Sequence, residues 1–204
     1  AAGQTMAANL SITVKNLTHG TWFTPLLITA HSSEVRLFET GQPATGALQA
    51  MAEGGALTGL IKLVEDFDGD IVANPAEGLL APGQSTPDVS LSTKRNSNRY
   101  LSIVAMMLPT NDGFVGLDSL TIPRIPGTYR YYLNGYDSGT EANDEIINGG
   151  GAPGVPGIPA DPGGFGGVGG TGVIAFDFNT NVHIHRSVIG DTDLEGGSSD
   201  LDSA

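Results

Sequence analysis

The chain contains no cysteine. That excludes disulfides, thiolate zinc sites and cysteine nucleophiles together. It also lacks any apolar run near the ~18 residues that mark a membrane-spanning helix. Basic residues are scarce: nine Lys and Arg face 22 Asp and Glu, giving a formal net charge of −13. Such a surface repels phosphate backbones, so nucleic acid is not an expected partner. It attracts divalent cations wherever several carboxylates converge. Catalytic signatures are missing as well. There is no G-x-S-x-G elbow, no P-loop and no dinucleotide fingerprint after a strand. The four histidines stand at no recognisable spacing from a nucleophile.

What is present suits one domain over residues 1–204, with a 39% hydrophobic fraction sufficient for a core. Glycine is abundant, at 30 residues, and it is concentrated in loops. The opening "AAGQTMAANL" resembles what remains after signal-peptide cleavage at a site of small residues. Export is therefore expected, to the cell surface, the periplasm or the medium.

Along the chain, "ANLSITVKNL" (8–17) alternates Leu10, Ile12 and Val14 with polar residues, the period of a half-buried strand. "FTPLLITAH" (23–31) reads as a second strand, with Pro25 near its start, and "EVRLFET" (34–40) as a short third. Ala47, Leu48, Met51 and Ala52 stand at helical spacing. Pro43 lies near the first turn and Gly54–Gly55 stops the run. This predicts a helix over 43–53 and a second over 56–64. Everything beyond 65 reads as strand and turn, and 99–108 is the strongest core strand, apolar on both faces from Ile103 to Leu108. Residues 148–172 are a Gly/Pro-rich insertion that supports neither helix nor ladder. Two strands, 172–179 and 181–189, then return to the same sheet. Residues 190–204 form an acidic tail, expected to be mobile in isolation.

Three constellations carry possible chemistry. His183 and His185 in "VHIHR" share a strand face and could chelate a transition metal, but a zinc site wants a third protein ligand and none is adjacent. An exposed face with two polar residues is the plainer reading. Asp66, Asp68 and Asp70 in "EDFDGD" are spaced like the opening of an EF-hand. Position six is Ile71 instead of glycine, although Glu77 stands at twelve, so an acidic turn fits better. Third, Asp112 in "PTND" and Asp137 and Glu141 in "GYDSGTEANDE" each sit in a turn at the end of a strand. There a β-sandwich gathers loops, and loops offer carbonyl oxygens to a hard cation. Asp in turns is also ordinary turn chemistry. Asp118 lies about 20 Å from Asp112 on a straight strand, too far to share an ion.

The segments "FTPLLITAH", "LFETGQPATGALQAMAEGG", "LPTNDGFVGLDSL" and "YLNGYDSGTE" come in the order and approximate spacing of the spondin domain. That domain occurs in extracellular matrix proteins such as F-spondin and mindin and in exported bacterial proteins. The resemblance covers about residues 8–142, with a weaker match at 172–189. It implies an all-β fold, an antiparallel β-sandwich of about eight strands with one or two short helices at one side. It also implies a calcium ion held by strand-end loops, and adhesion or matrix association instead of catalysis. Asp112 and Asp137 match the family's acidic positions. Glu141 is added for its proximity. The chain departs from the animal members in lacking disulfides, in having Gly113–Phe114 where they place Trp, and in having no carboxylate between Asp88 and Asp112. The expected function is thus an exported, non-enzymatic, calcium-binding adhesion module whose partner is an extracellular protein or glycan. The alternatives are a surface filament subunit, a homo-polymer joined by strand or tail exchange, and a metal-dependent hydrolase using His183 and His185.

Overall fold

The computed structural model describes residues 7–162, 166–173, 179–193 and 195–202. Nine strands and two helices are formed among them. These are β1 (Asn9–Ile12), β2 (Trp22–Phe23), β3 (Leu27–His31), α1 (Gly46–Gly54), α2 (Thr58–Asp66), β4 (Asp70–Ala73), β5 (Val89–Ser92), β6 (Tyr100–Leu108), β7 (Gly113–Thr121), β8 (Asn134–Asp137) and β9 (His183–Ile184). Every ladder is antiparallel. The main sheet has seven strands in the order β4-β3-β6-β7-β8-β9, with β2 also paired to β6. A second sheet joins β1 to β5. The fold is an all-β sandwich with unequal sheets.

Alternation along the central strands decides what covers each face. Leu27, Val104, Met106, Leu108 and Phe114 meet Leu48, Met51, Leu60 and Val64 of the helices. Ile28, Ala30, Ile103, Ala105 and Val115 point the other way, onto Val14 and Leu91, with Leu10 and Ile12 packed alongside. Strand β6 is apolar on both faces because both are covered. Each fully buried Leu, Met or Val contributes roughly 1.5–3 kcal/mol before entropy is counted. The helix side holds an aromatic trio, in which Phe38 meets Phe114 edge-on at 5.0 Å and Tyr136 at 4.9 Å.

The helical spacing is borne out at 46–54 and 58–66. Thr45 caps α1, its Oγ1 accepting from the Leu48 N–H at 3.1 Å. Gly55 closes the helix in the left-handed region at φ 70°. The predicted strand at 23–31 is split instead. Pro25 has no N–H to give the ladder, and Thr24 bridges the gap by donating its N–H to Met106 O and accepting the Met106 N–H on Oγ1. The segment 34–40 is not a strand. It is irregular chain that tucks Val35, Leu37 and Phe38 into the core, so its alternation reflects burial and not pairing. Strand β4 was not anticipated, because its first residue belongs to the acidic run "EDFDGD".

The predicted strand at 172–179 falls largely on residues outside the described ones. The Gly/Pro-rich tract is loop where it is described, yet it is packed down. Ile158 bridges Ile147 and is buried with Ile147 and Leu201. The acidic tail, expected to be mobile, folds onto the same region. Asp200 accepts backbone N–H groups from Ile147, Val168 and Gly170 at 2.7–2.9 Å. Glu145 accepts from Ile189, Gly190 and the Ser199 hydroxyl at 2.7–2.9 Å.

Candidate functional site

Asp112 ends the four-residue connection between β6 and β7, and Asp137 is the last residue of β8. The pairing register sets Gly113 opposite Asp137. Two aspartates 25 positions apart in sequence are thereby brought to one strand end. Thr110 holds the turn, donating its hydroxyl to Met107 O at 2.6 Å and accepting the Gly113 N–H at 3.0 Å. The residue after Asp112 is glycine for steric reasons: a Cβ there would meet Thr110 Oγ1 at 2.7 Å and His185 Cδ2 at 3.0 Å.

The "DSGTE" segment wraps one oxygen of Asp112. Asp112 Oδ2 accepts from Ser138 Oγ at 2.9 Å, from the Thr140 N–H at 2.8 Å and hydroxyl at 3.3 Å, and from the Glu141 N–H at 3.2 Å. The tight turn that aims these donors runs through Gly139 at φ 73°, where a Cβ would collide with the Thr180 backbone at 2.6 Å. Asp112 Oδ1 is buried with no partner at all, and so is Glu141 Oε1. The other Glu141 oxygen accepts the Gly157 N–H at 3.0 Å. Asp137 is fully engaged, accepting from the Gly139 N–H at 2.8 Å and Asn143 Nδ2 at 2.6 Å.

A fourth carboxylate stands nearby. Glu53 of α1 is completely buried, held by Gln49 Nε2 at 2.8 Å and the Gly154 N–H at 2.5 Å. Burial pushes the Asp112 carboxyl up to about 6, and the Asp137 charge adds to the effect despite the N–H and hydroxyl donors around it. Burial pushes Glu141 up to about 7, reinforced by Glu53 and Asp112 against the Gly157 N–H. Among the described residues, no Lys or Arg ion pair reaches Asp112, Asp137, Glu141 or Glu53. His183 is paired there, with Nδ1 at 3.8 Å from Asp137 Oδ1.

Of the other predicted groups, His183 and His185 are half-buried, and it is Ile184 between them that faces solvent. The exposed-histidine reading is thus reversed. The His183 Nδ1–H donates to Asn181 O at 2.8 Å. His185 accepts the Ser187 N–H at 3.0 Å, while its Nε2 is buried without a partner and burial lowers its pKa. Asp66, Asp68 and Asp70 do not converge. Asp66 pairs with Lys62 at 2.9 Å, Asp68 with Arg95 at 2.8 Å, and Asp70 caps the turn at Lys94–Asn98. Asp118 pairs with Arg36 at 2.8 Å, away from Asp112. Sequence reasoning missed Ser138 and Thr140 as donors, although both stand inside the quoted "YDSGTE" block. It had no signal for Glu53 or Asn143, which reach the site through tertiary packing alone.

Among the described residues, no three His, Asp and Glu side chains make a ready-formed metal cage. Two of the orphaned atoms, Asp112 Oδ1 and Glu141 Oε1, are carboxylate oxygens, the donor type a hard cation takes, and another is the His185 Nε2. Any ion here would complete its shell with carbonyls, amides and water.

Residues 15–144 match the Spondin_N family. The chain therefore belongs to the spondin N-terminal domain family, a class of extracellular, adhesion-type modules. No curated protein matches it. Among the described residues, no helix is long and apolar enough to cross a membrane.

Proposed function

We propose that this chain is an exported, non-enzymatic adhesion or matrix-association module whose strand-end loops are locked by calcium. The observation that supports this is the pair of partnerless carboxylate oxygens, Asp112 Oδ1 and Glu141 Oε1, buried beside Asp137 and Glu53 with no Lys or Arg ion pair to balance them among the described residues. An uncompensated buried carboxylate costs several kcal/mol, and a protein relieves it by taking up a proton or a cation. A bound calcium ion supplies fixed positive charge and an oxygen-seeking coordination shell. Asp112 and Glu141 would hold it through their free oxygens, and Asp137 through the remaining lone pairs of its engaged ones. The ion would tie together the 109–112 turn, the 137–141 turn and, through Glu141 and Gly157, the Gly/Pro-rich tract. A surface built from three loops would then be rigid enough to bind an extracellular protein or glycan.

The filament reading has less to draw on. The tail that it would exchange is spent on its own chain, with Leu201 buried and Asp200 bonded to three backbone N–H groups. The test is thermal unfolding in chelator and in millimolar calcium. Binding to the folded state raises stability by RT ln(1 + [L]/Kd), about 2.7 kcal/mol at a hundredfold excess over Kd. Wild type should gain melting temperature with calcium, and Asp112→Asn and Glu141→Gln should lose the gain. A wild-type melting temperature indifferent to calcium would end the reading.

A further inference from the structure

The central strands have a second end. Strand β6 spans nine residues, so at about 3.3 Å per residue its start lies roughly 26 Å from the carboxylate cluster. There, at the tips of β3, β6 and β7, the structure opens a cleft of about 480 Å³. Its lining differs from the rest of this acidic molecule. Four hydroxyl side chains, Ser32, Ser33, Ser97 and Thr121, share it with Arg99 and Arg124, and Glu34 contributes the single acid.

The two guanidinium groups are differently placed. Arg99 donates to the Ile122 carbonyl at 3.1 Å, which fixes one arm of its fork and leaves the remaining donors for a ligand. Arg124 is exposed and belongs to none of the ion pairs among the described residues. In a chain with nine Lys and Arg residues and a net charge of −13, two arginines in one polar cleft, outside any ion pair among the described residues, are a local reversal of sign. One aromatic side chain, Tyr100, lines the cleft with them, its ring stacked on His31 at 6.2 Å. Tyrosine and arginine together are the composition of recognition surfaces.

We propose that this cleft binds an acidic glycan. Arginine recognises carboxylate or sulfate through its planar fork. The serines and the threonine can each donate to and accept from sugar hydroxyls, and Glu34 accepts from a hydroxyl but repels a bare anion. That last feature selects a polyol carrying charge over inorganic phosphate. Tyr100 provides apolar area for the C–H side of a sugar ring. The site is independent of the calcium reading, since it shares no residue with the carboxylate cluster.

The experiment is calorimetric titration of the full chain in chelator at low salt. The probes are a tetragalacturonate, a sulfated tetrasaccharide, a neutral tetrasaccharide and a polyglutamate of matched charge. At least one acidic saccharide should bind tenfold or more tightly than the neutral one and the polyglutamate, and the stronger of the two identifies the anionic group. Arg124→Ala, which breaks no ion pair among the described residues, should weaken binding about tenfold, and Arg124→Lys should restore part of it. Absence of binding by both acidic saccharides, equal binding of polyglutamate, or indifference to Arg124→Ala would overturn the assignment.

Discussion

If Asp112 and Glu141 are calcium ligands, protons compete with calcium at an unusually high pH. Ordinary carboxyls with values of 3.8 and 4.5 are mostly ionised at pH 5. Here burial and neighbouring charge hold Asp112 near 6 and Glu141 near 7 in the ion-free protein. Each ligand must lose its proton to bind, so apparent affinity is divided by 1 + 10^(pKa − pH) for each group. At pH 5 the penalty is about tenfold from Asp112 and about a hundredfold from Glu141, together about a thousandfold relative to pH 8. Unperturbed carboxyls would give less than about twofold. The assay is calcium titration followed by calorimetry at half-unit pH steps from 5 to 8. Affinity should fall steeply below about pH 7, and the slope should flatten in Glu141→Gln. The sign for stability runs the opposite way. Both groups hold protons more tightly in the folded state, so ion-free stability is greatest below their unfolded values. It declines as pH rises through 3.8 to about 6 for Asp112 and 4.5 to about 7 for Glu141. The Asp112 displacement alone is worth about 3 kcal/mol at 1.36 kcal/mol per pH unit. An affinity that changes less than about threefold between pH 8 and pH 5 would refute the reasoning.

Further consequences can be measured with single substitutions. Asp112→Asn keeps an acceptor for the Ser138 and Thr140 donors and removes the charge, so in chelator at pH 7.5 its melting temperature should equal or exceed that of wild type. A clear fall would show that the charge is needed by the cradle and not penalised by it. Gly54→Ala in an ordinary helix gains up to about 1 kcal/mol, but here the added Cβ would lie 1.9 Å from the Gly151 carbonyl oxygen. The variant should instead lose about 1–3 kcal/mol in urea denaturation, and a gain would show that the Gly/Pro-rich tract does not rest on α1. Ile158→Ala should cost about 2 kcal/mol, the low end for such truncations because only three buried side chains share that cluster. Limited proteolysis of this variant should cut the acidic tail first, and an unchanged cleavage rate would separate the tail from the cluster.

The parts of the fold legible in the sequence were those in which one local pattern decides the outcome. Ile103–Leu108 is apolar on successive residues because helices cover one face and the small sheet the other. The helices announced themselves through Leu48, Met51 and Ala52 and the Gly54–Gly55 stop. Patterns that several structures can produce misled. Val35, Leu37 and Phe38 are buried from irregular chain, and "EDFDGD" hides the first residue of β4 behind an acidic turn. The tail reads as solvent-loving, but its Asp200 accepts backbone N–H groups from Val168 and Gly170 of the glycine-rich tract, a pairing that composition does not reveal. At the candidate site, the strand-end positions of Asp112 and Asp137 could be read locally, but their juxtaposition depends on the Gly113–Asp137 register. Glu53 comes from α1, in the helical layer, and leaves no mark near the motif.

Diffraction from crystals grown with calcium and then exchanged with a lanthanide would test the ion site most directly. The account predicts an anomalous peak within about 2.3–2.6 Å of Asp112 Oδ1, with Glu141 Oε1 in the same coordination shell. It is contradicted if no ion is found there and both oxygens are instead protonated or bonded to protein groups.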